Sequence, residues 1–153
     1  MDKLTIEQQR AKYALGRING ILNDREKNEK RAKYLTDLRH LPSQLHWGGL
    51  GQTAASLLSD QKSNPQRRDI YDWIEGWLRE RKIYAGERTS PKLIEAIAGI
   101  GEGAKLADKY VAATREARAL AVWLKKFAEA FLQPATSEAK DEERGGHGTP
   151  APR

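Results

Sequence analysis

Apolar residues recur every three or four positions near the start of the chain, the spacing that places side chains on one face of an α-helix. They are Ala11, Ala14, Leu15, Ile18, Ile21 and Leu22. Thr5 and Gln8 precede most of this run with the spacing of a capping box, in which each side chain accepts a hydrogen bond from the other residue's free backbone N–H. The pattern therefore predicts a helix that begins after Thr5. Gly16 and Gly20 each weaken such a helix by about 1 kcal/mol relative to alanine, so we expect them to allow close approach of a neighbour.

The central part of the chain predicts shorter helices with breaks between them. The apolar spacing resumes at Ala32 and Leu35, and we expect it to stop before Leu41-Pro42, because proline cannot continue the hydrogen bonds of a helix. Glycines at positions 48, 49 and 51 interrupt the next stretch, and residues 52–58 have the pattern of a short helix.

Two dipeptides mark further helix starts, because each offers a capping residue followed by proline at the first helical position. They are Asn64-Pro65 and Ser90-Pro91. The first leads into the apolar face Ile70, Trp73, Ile74, Trp77 and Leu78, and the second into Leu93, Ile94 and Ile97. Trp73 and Trp77 lie four residues apart on one face, which predicts that both are core residues.

The longest apolar stripe occupies residues 104–133, which as one helix would span roughly 45 Å. Its members are Leu106, Tyr110, Ala113, Ala117, Leu120, Ala121, Leu124, Ala128 and Phe131. No segment alternates with the period of two that a strand requires. Residues 134–153 contain no Val, Ile, Leu, Met or aromatic residue to bury, which predicts a disordered tail. The sequence thus predicts an all-α fold, a bundle of about five helices with a long C-terminal helix, as a single domain over residues 1–133.

The composition excludes several kinds of chemistry. The 153 residues include no Cys and three His, so a disulfide framework, a thiolate metal site and a cysteine nucleophile are ruled out, and a catalytic zinc is disfavoured. No apolar run is long enough to cross a membrane, and the polar start is not a secretory signal, so we expect a cytoplasmic protein. With 27 Lys+Arg against 21 Asp+Glu, the formal charge of +6 favours polyanionic partners.

Two other patterns lack the sequence context that a functional site requires. Gly99, Gly101 and Gly103-Ala104 match a dinucleotide-binding fingerprint, but that motif needs a strand before it and here a helix precedes it. Asp69, Asp72 and Glu75 lie three residues apart, yet they have no His partner or second acidic cluster that would indicate a metal site or an acid–base pair. The sequence therefore predicts no catalytic residue, metal or cofactor.

Basic residues on two helices form the most informative polar pattern. Arg115, Arg118, Lys125 and Lys126 lie opposite the apolar stripe of the last helix. The two arginines have no acidic residue three or four positions away, so no ion pair within the helix cancels their charge. Lys12 and Arg17 add cations on the first helix. The pattern is compatible with a solvated surface and with a contact to nucleic-acid phosphates, and both interpretations are open at this point. The sequence contains no motif that reads bases.

Two tryptophans differ from the core pair. Trp47 lies in the glycine-rich break, and Trp123 flanks the apolar stripe of the last helix beside Glu116. Because tryptophan is enriched at the centres of protein interfaces, both are candidates for contacts with another subunit.

Three stretches together resemble the small helical subunit of the Cmr-type (type III-B) CRISPR effector complex: residues 7–15, 41–58 and 110–132. The residues that carry the resemblance are Arg10-Ala11-Lys12-Tyr13-Ala14, Leu41-Pro42, Gly49-Leu50-Gly51-Gln52, Tyr110, Thr114, Glu116-Ala117 and Trp123-Leu124-Lys125-Lys126-Phe127-Ala128-Glu129. The sequence departs from the family pattern at Val111, where a basic residue is frequent, and at Leu57, where an aromatic residue is common.

The resemblance implies an all-α subunit without a catalytic centre that stacks along an RNA-guided ribonucleoprotein. Its expected partners are the other subunits, copies of itself, and the guide and target RNA, with no membrane and no small-molecule substrate. Base pairing would then supply the specificity, and the protein would need only shape and positive charge. We expect Lys12, Arg17, Arg115, Arg118, Lys125 and Lys126 to face RNA, and Arg10, Trp47, Glu116 and Trp123 to make structural or inter-subunit contacts.

Two functions of other classes are the alternatives. A small helical enzyme that binds a dicarboxylate would need several cations to point inward. A free-standing DNA-binding regulator would need a recognition helix, and the sequence contains no recognisable helix-turn-helix.

Overall fold

A computed structural model describes residues 3–83, 92–99 and 109–134. Within these ranges the chain forms six helices and no strand, which confirms the all-α prediction. The helices are α1 (Ile6–Asn23), α2 (Arg25–Glu29), α3 (Arg31–Ser59), α4 (Pro65–Glu80), α5 (Lys92–Ile97) and α6 (Tyr110–Phe131). The predicted helix start at Ser90-Pro91 lies outside the described residues, as does all of the predicted tail except Pro134.

Helix α1 begins as the sequence predicts. The Thr5 N–H donates to Gln8 Oε1 over 2.8 Å, and the Gln8 N–H donates to Thr5 Oγ1 over 3.1 Å. The expectation for Gly16 and Gly20 is wrong, because a Cβ added at either position would meet nothing within 4 Å. At 100° per residue both glycines are turned away from the buried side of the helix, which contains Ala14, Ile18 and Ile21.

Helix α3 runs through Pro42, where the sequence predicts a stop. Leu38, Leu41 and Leu45 are fully buried on either side of the proline. Burial of each leucine contributes about 1.5–3 kcal/mol, which together exceeds the roughly 3 kcal/mol that a proline costs inside a helix. Tertiary packing therefore keeps this segment helical. The break occurs instead at Gly49, one of the glycines predicted to interrupt the chain, with φ 75° and ψ 177°.

The break at Gly49 folds the two halves of α3 towards each other. In a straight helix Asp37 and Asp60 would lie about 35 Å apart. Here both carboxylates contact the guanidinium of Arg67, with Nε 3.3 Å from Asp37 and Nη1 2.8 Å from Asp60. Arg67 on α4 thus holds the two halves of α3 together.

Helices α4 and α5 complete one side of the core. The predicted α4 face is buried, including Trp73 and Trp77, which confirms their assignment to the core. On α5, Leu93 and Ala96 are buried. The Leu93 N–H donates to Glu75 Oε2 over 3.2 Å, so a buried carboxylate of α4 accepts a bond from the first turn of α5.

Helix α6 packs against both α3 and α1 through small side chains. Ala113, Ala117, Ala121 and Ala128 are fully buried, as are Leu120 and Leu124. The described helix runs from Tyr110 to Phe131 and ends two residues earlier than predicted, while residues 104–108 of the predicted helix lie outside the described residues. Phe131, predicted to belong to the buried stripe, is 49% exposed, because it lies in the last turn of the helix. Leu106 lies outside the described residues.

Candidate nucleic-acid interface

Four cations lie on the outer side of α6. At 100° per residue, Arg115, Arg118, Lys125 and Lys126 fall within an arc of about 100°. Three are exposed and Lys125 is half-buried. Among the residues that the structure describes, none of the four has an ion-pair partner, and the nearby Glu129 carboxylate lies 3.9 Å from Arg39 instead. We call these four residues the α6 cationic face.

The two predicted cations of α1 are also exposed, but they differ in environment. The Arg17 guanidinium lies 4.5 Å from the centre of the Tyr13 ring, a cation–π contact that fixes its side chain against the helix. Lys12 has no ion pair within the described part of the chain. Both charges therefore remain available to an anionic partner.

Arg10 and Glu116 pair with each other inside the molecule. Arg10 Nε and Nη2 each donate to a different Glu116 oxygen over 2.9 Å, a bidentate arrangement. Trp77 Nε1 donates to the same carboxylate over 3.0 Å. The two charged side chains are only 14% and 13% exposed. These residues join α1, α4 and α6, and neither side chain points outward as an RNA contact.

The same contacts shift the pKa of both groups. Burial acts to raise the pKa of Glu116, but the hydrogen bonds from Arg10 and Trp77 outweigh it, so the pKa of Glu116 lies below its ordinary value. The hydrogen bond to Glu116 is the main cause that raises the pKa of Arg10. Arg10 also contacts Glu7, whose second carboxylate oxygen accepts from Trp123 Nε1 over 3.0 Å.

The two candidate interface tryptophans have different surroundings. Trp47 is 84% exposed, with its ring edge-on to His46 at a centroid distance of 5.0 Å. Trp123 is half-buried and begins a row of aromatic rings along α6, with Phe127 at 5.5 Å and then Phe131 at 6.3 Å from Phe127. Sequence reasoning missed this row, although its spacing of four residues, Trp123, Phe127, Phe131, was a visible signal.

The bend in α3 is completed by two hydroxyl groups of α6. The first amides after the break lack partners within the helix. The Gly51 N–H donates to the Tyr110 hydroxyl over 2.7 Å, and the Leu50 N–H donates to Thr114 Oγ1 over 3.4 Å. Tyr110 and Thr114 carry part of the family resemblance, and here they have a structural role.

A recess of about 250 Å³ lies between the bend and the start of α6. It is lined by Leu45, His46, Gly49, Tyr110, Val111, Thr114, Arg115 and Arg118. No Asp or Glu in the described ranges lines it. We call it the bend recess. It is the place where two predicted RNA contacts, Arg115 and Arg118, come together.

The acidic cluster of α4 is divided among separate partners. Asp69 accepts a hydrogen bond from the Tyr34 hydroxyl, and Asp72 pairs with Arg68 over 3.0 Å. Glu75 accepts a hydrogen bond from the backbone N–H of Leu93 on α5. Burial, followed by the hydrogen bond to Asp69, raises the pKa of Tyr34. In the described ranges no group of three or more His, Cys, Asp or Glu residues could hold a metal ion.

The structure describes only the start of the glycine motif. Gly99 follows α5 with φ 76°, while Gly101 and Gly103 of the glycine motif lie outside the described residues. None of the helices in the described ranges is long and apolar enough to cross a membrane.

Comparison with known proteins assigns the chain to a family. A comparison with curated proteins finds none that is significantly similar. Residues 6–131, which include every helix from α1 to α6, match the family described as CRISPR-associated protein (Cas_Cmr5). The chain therefore belongs to this family of subunits of Cmr-type CRISPR complexes.

Proposed function

We propose that this protein is a non-catalytic, RNA-binding subunit of a type III-B effector complex in the cytoplasm. It stacks along the ribonucleoprotein and helps to hold the target RNA against the guide RNA in antiviral defence. The observation that carries this proposal is the α6 cationic face, four cations on one rigid helix with no acidic partner in the described part of the chain. Neutralising RNA phosphates with such cations releases counterions, which favours binding without reading sequence.

The buried charges do not favour an enzyme that binds a dicarboxylate. Among the described residues, the most deeply buried charged residue is Glu75, an acid. Arg10 points inward, but Glu116 already neutralises it. The bend recess contains cations at its exposed edge rather than in an enclosed site.

Contacts with other subunits would use the aromatic residues. Trp47 is exposed at the bend, and the row Trp123, Phe127 and Phe131 lies on α6. Exposed aromatic side chains are typical anchors of protein interfaces. We propose that these residues contact other subunits or copies of this chain, while the α6 cationic face contacts RNA.

Charge reversal tests the RNA contact. In the full chain, Arg118→Glu with Lys125→Glu should weaken binding to a single-stranded RNA by at least about tenfold and lower the dependence of binding on salt, since each lost phosphate contact reduces the slope by about 0.7. Fluorescence anisotropy at several salt concentrations measures both quantities.

A control with the same change of net charge locates the effect. Arg25→Glu with Lys62→Glu alters two exposed cations outside α6, and Arg25 already pairs with Glu29 at 3.8 Å. This variant should retain most of the affinity. Equal losses in both variants would mean that RNA responds to net charge alone and has no preferred contact on α6.

A further inference from the structure

The bend recess distinguishes Arg115 and Arg118 from the other cations of the α6 cationic face. Both arginines line a concave site, whereas Lys125 and Lys126 do not. Arginine presents several N–H groups in a fixed planar arrangement that matches two oxygens of one phosphate. Two arginines at one recess therefore favour a localised anion over a diffuse charge contact.

The hydroxyl groups of the recess add further donors. Tyr110 and Thr114 each accept a backbone N–H from the bend, and neither hydroxyl donates to another group in the described residues. A hydroxyl that accepts one bond still has its own proton to donate. The recess is also beside the first turns of α6, where the helix dipole favours negative charge.

The size of the recess limits what it can hold. At about 250 Å³ it is smaller than the roughly 300–1,000 Å³ pockets that enclose whole organic ligands. Leu45, Gly49 and Val111 add no hydrogen-bonding side chain to its lining. The one further polar side chain among the described lining residues is the imidazole of His46, which packs edge-on to Trp47. The chemistry fits one small anionic group.

We propose that the bend recess binds a single phosphate group of the RNA backbone, held by the guanidinium groups of Arg115 and Arg118 and the hydroxyl protons of Tyr110 and Thr114. This inference rests on the proposed RNA-binding function and makes it specific. In this arrangement the bound phosphate contacts the same two hydroxyl groups that complete the bend of α3.

The first arm of the test separates arginine geometry from charge. The variant Arg115→Lys with Arg118→Lys keeps both charges but loses the planar donors. It should bind single-stranded RNA about tenfold more weakly than the parent protein, because lysine acts at such a site only as a point charge. The matched variant Arg25→Lys with Arg39→Lys alters two exposed arginines outside the recess and outside the α6 cationic face, and it should stay within about twofold of the parent.

The second arm observes the recess directly. Titration of the isotopically labelled full chain with inorganic phosphate, followed by NMR, should shift the amide signals of Leu50 and Gly51, which are bonded to the two hydroxyl groups. The same signals should shift with a short single-stranded RNA. The double Lys variant, Arg115→Lys with Arg118→Lys, should show neither shift.

The outcomes separate the two proposals. If the double Lys variant binds RNA as the parent does while Arg115→Gln with Arg118→Gln binds weakly, the recess is wrong and the charge-based RNA contact stands. If inorganic phosphate shifts the bend amides but RNA does not, the recess takes free phosphate and the inference is overturned. If no change on the α6 cationic face alters RNA affinity, the proposed RNA contact itself is wrong.

Discussion

Several single residues that carry the family resemblance contribute directly to the fold. Arg10, Glu116, Tyr110 and Thr114 all belong to the matching stretches, and each makes contacts inside the chain. The sequence singles out Arg10 and Glu116, but not that they bind each other, because 106 residues separate them. Only packing of α1 on α6 makes that pair visible.

Removing the charge of Glu116 should destabilise the protein. Glu116→Gln leaves Arg10, only 14% exposed, without its bidentate partner, and breaking such a buried pair costs about 3 kcal/mol. Urea denaturation monitored by circular dichroism measures the change. Glu29→Gln, which removes the partner of exposed Arg25, should change the free energy of unfolding by less than about 0.5 kcal/mol. Similar losses in the two variants would contradict the role given to the buried pair.

The same pair predicts a pH dependence with a definite sign. Because the pKa of Glu116 is lowered in the folded state, its contribution to stability is present above the ordinary glutamate pKa of about 4.3 and is lost as the pH falls through the lowered value. The stability difference between the parent and Glu116→Gln should therefore be constant near neutral pH and shrink in acid. A difference that grows on acidification would contradict this assignment.

Gly76 provides a prediction about close packing. A Cβ at this position would lie 2.7 Å from the Tyr13 hydroxyl oxygen and 3.9 Å from the next atom. That hydroxyl donates to the Trp73 carbonyl over 2.6 Å, and burial raises the pKa of Tyr13 to about 12, so it remains protonated. Gly76→Ala should cost about 1–3 kcal/mol in the parent protein through overpacking.

In a Tyr13→Phe background the clashing oxygen is absent. Gly76→Ala should then be neutral or stabilise the helix by up to about 1 kcal/mol. Tyr13→Phe alone should cost about 1 kcal/mol for its hydrogen bond. Thermal and urea unfolding of the four proteins of this cycle test the coupling. An equal cost of Gly76→Ala in both backgrounds would show that the hydroxyl is not the obstacle.

At the scale of helices, sequence periodicity predicts α1, α4 and α6 well. Each has an apolar stripe with the helical period, and α1 and α4 also have capping signals close to their starts. The course of α3 is less predictable, because the local effect of Pro42 opposes the burial of leucines that only the tertiary structure reveals. Glycines at 48, 49 and 51 indicate a break, but not which of them adopts a positive φ.

Glycine substitutions test these elements. Gly49→Ala should destabilise the protein by about 2 kcal/mol, because φ 75° with ψ 177° is a conformation that essentially only glycine adopts. Gly20→Ala on α1 should instead stabilise the chain by about 1 kcal/mol, since a Cβ there meets nothing. Differential scanning calorimetry of both variants gives the sign of each effect. A stabilising Gly49→Ala would be inconsistent with the bend.

At the scale of the whole molecule, the sequence predicts which residues carry positive charge but not how they are grouped. The helical period places Arg115, Arg118, Lys125 and Lys126 on one face of α6. It cannot show that only the two arginines border a recess, because the recess also needs the bend of α3. Likewise, it predicts Trp47 as a candidate contact without giving its 84% exposure.

Trp47 gives a prediction at this scale. Trp47→Ser should leave the stability of the isolated chain within about 0.5 kcal/mol, because the side chain is already exposed. Assembly with the other subunits should be weakened by at least about tenfold if this side chain is an interface anchor. Sedimentation of reconstituted complexes measures assembly, and thermal unfolding checks the chain alone. Unchanged assembly would remove Trp47 from the interface.

The capping of the bend has a consequence for the order of events during synthesis. The capping box of α1 joins residues three positions apart, whereas the hydroxyls of Tyr110 and Thr114 reach amides 59 and 64 positions away. At roughly 5–20 residues per second, Thr114 leaves the ribosome's catalytic centre roughly 3–13 s after Leu50. Until then, the first backbone N–H groups of the second half of α3 must be hydrogen-bonded to water. The bend is thus completed by α6, a helix that is synthesised well after both halves of α3.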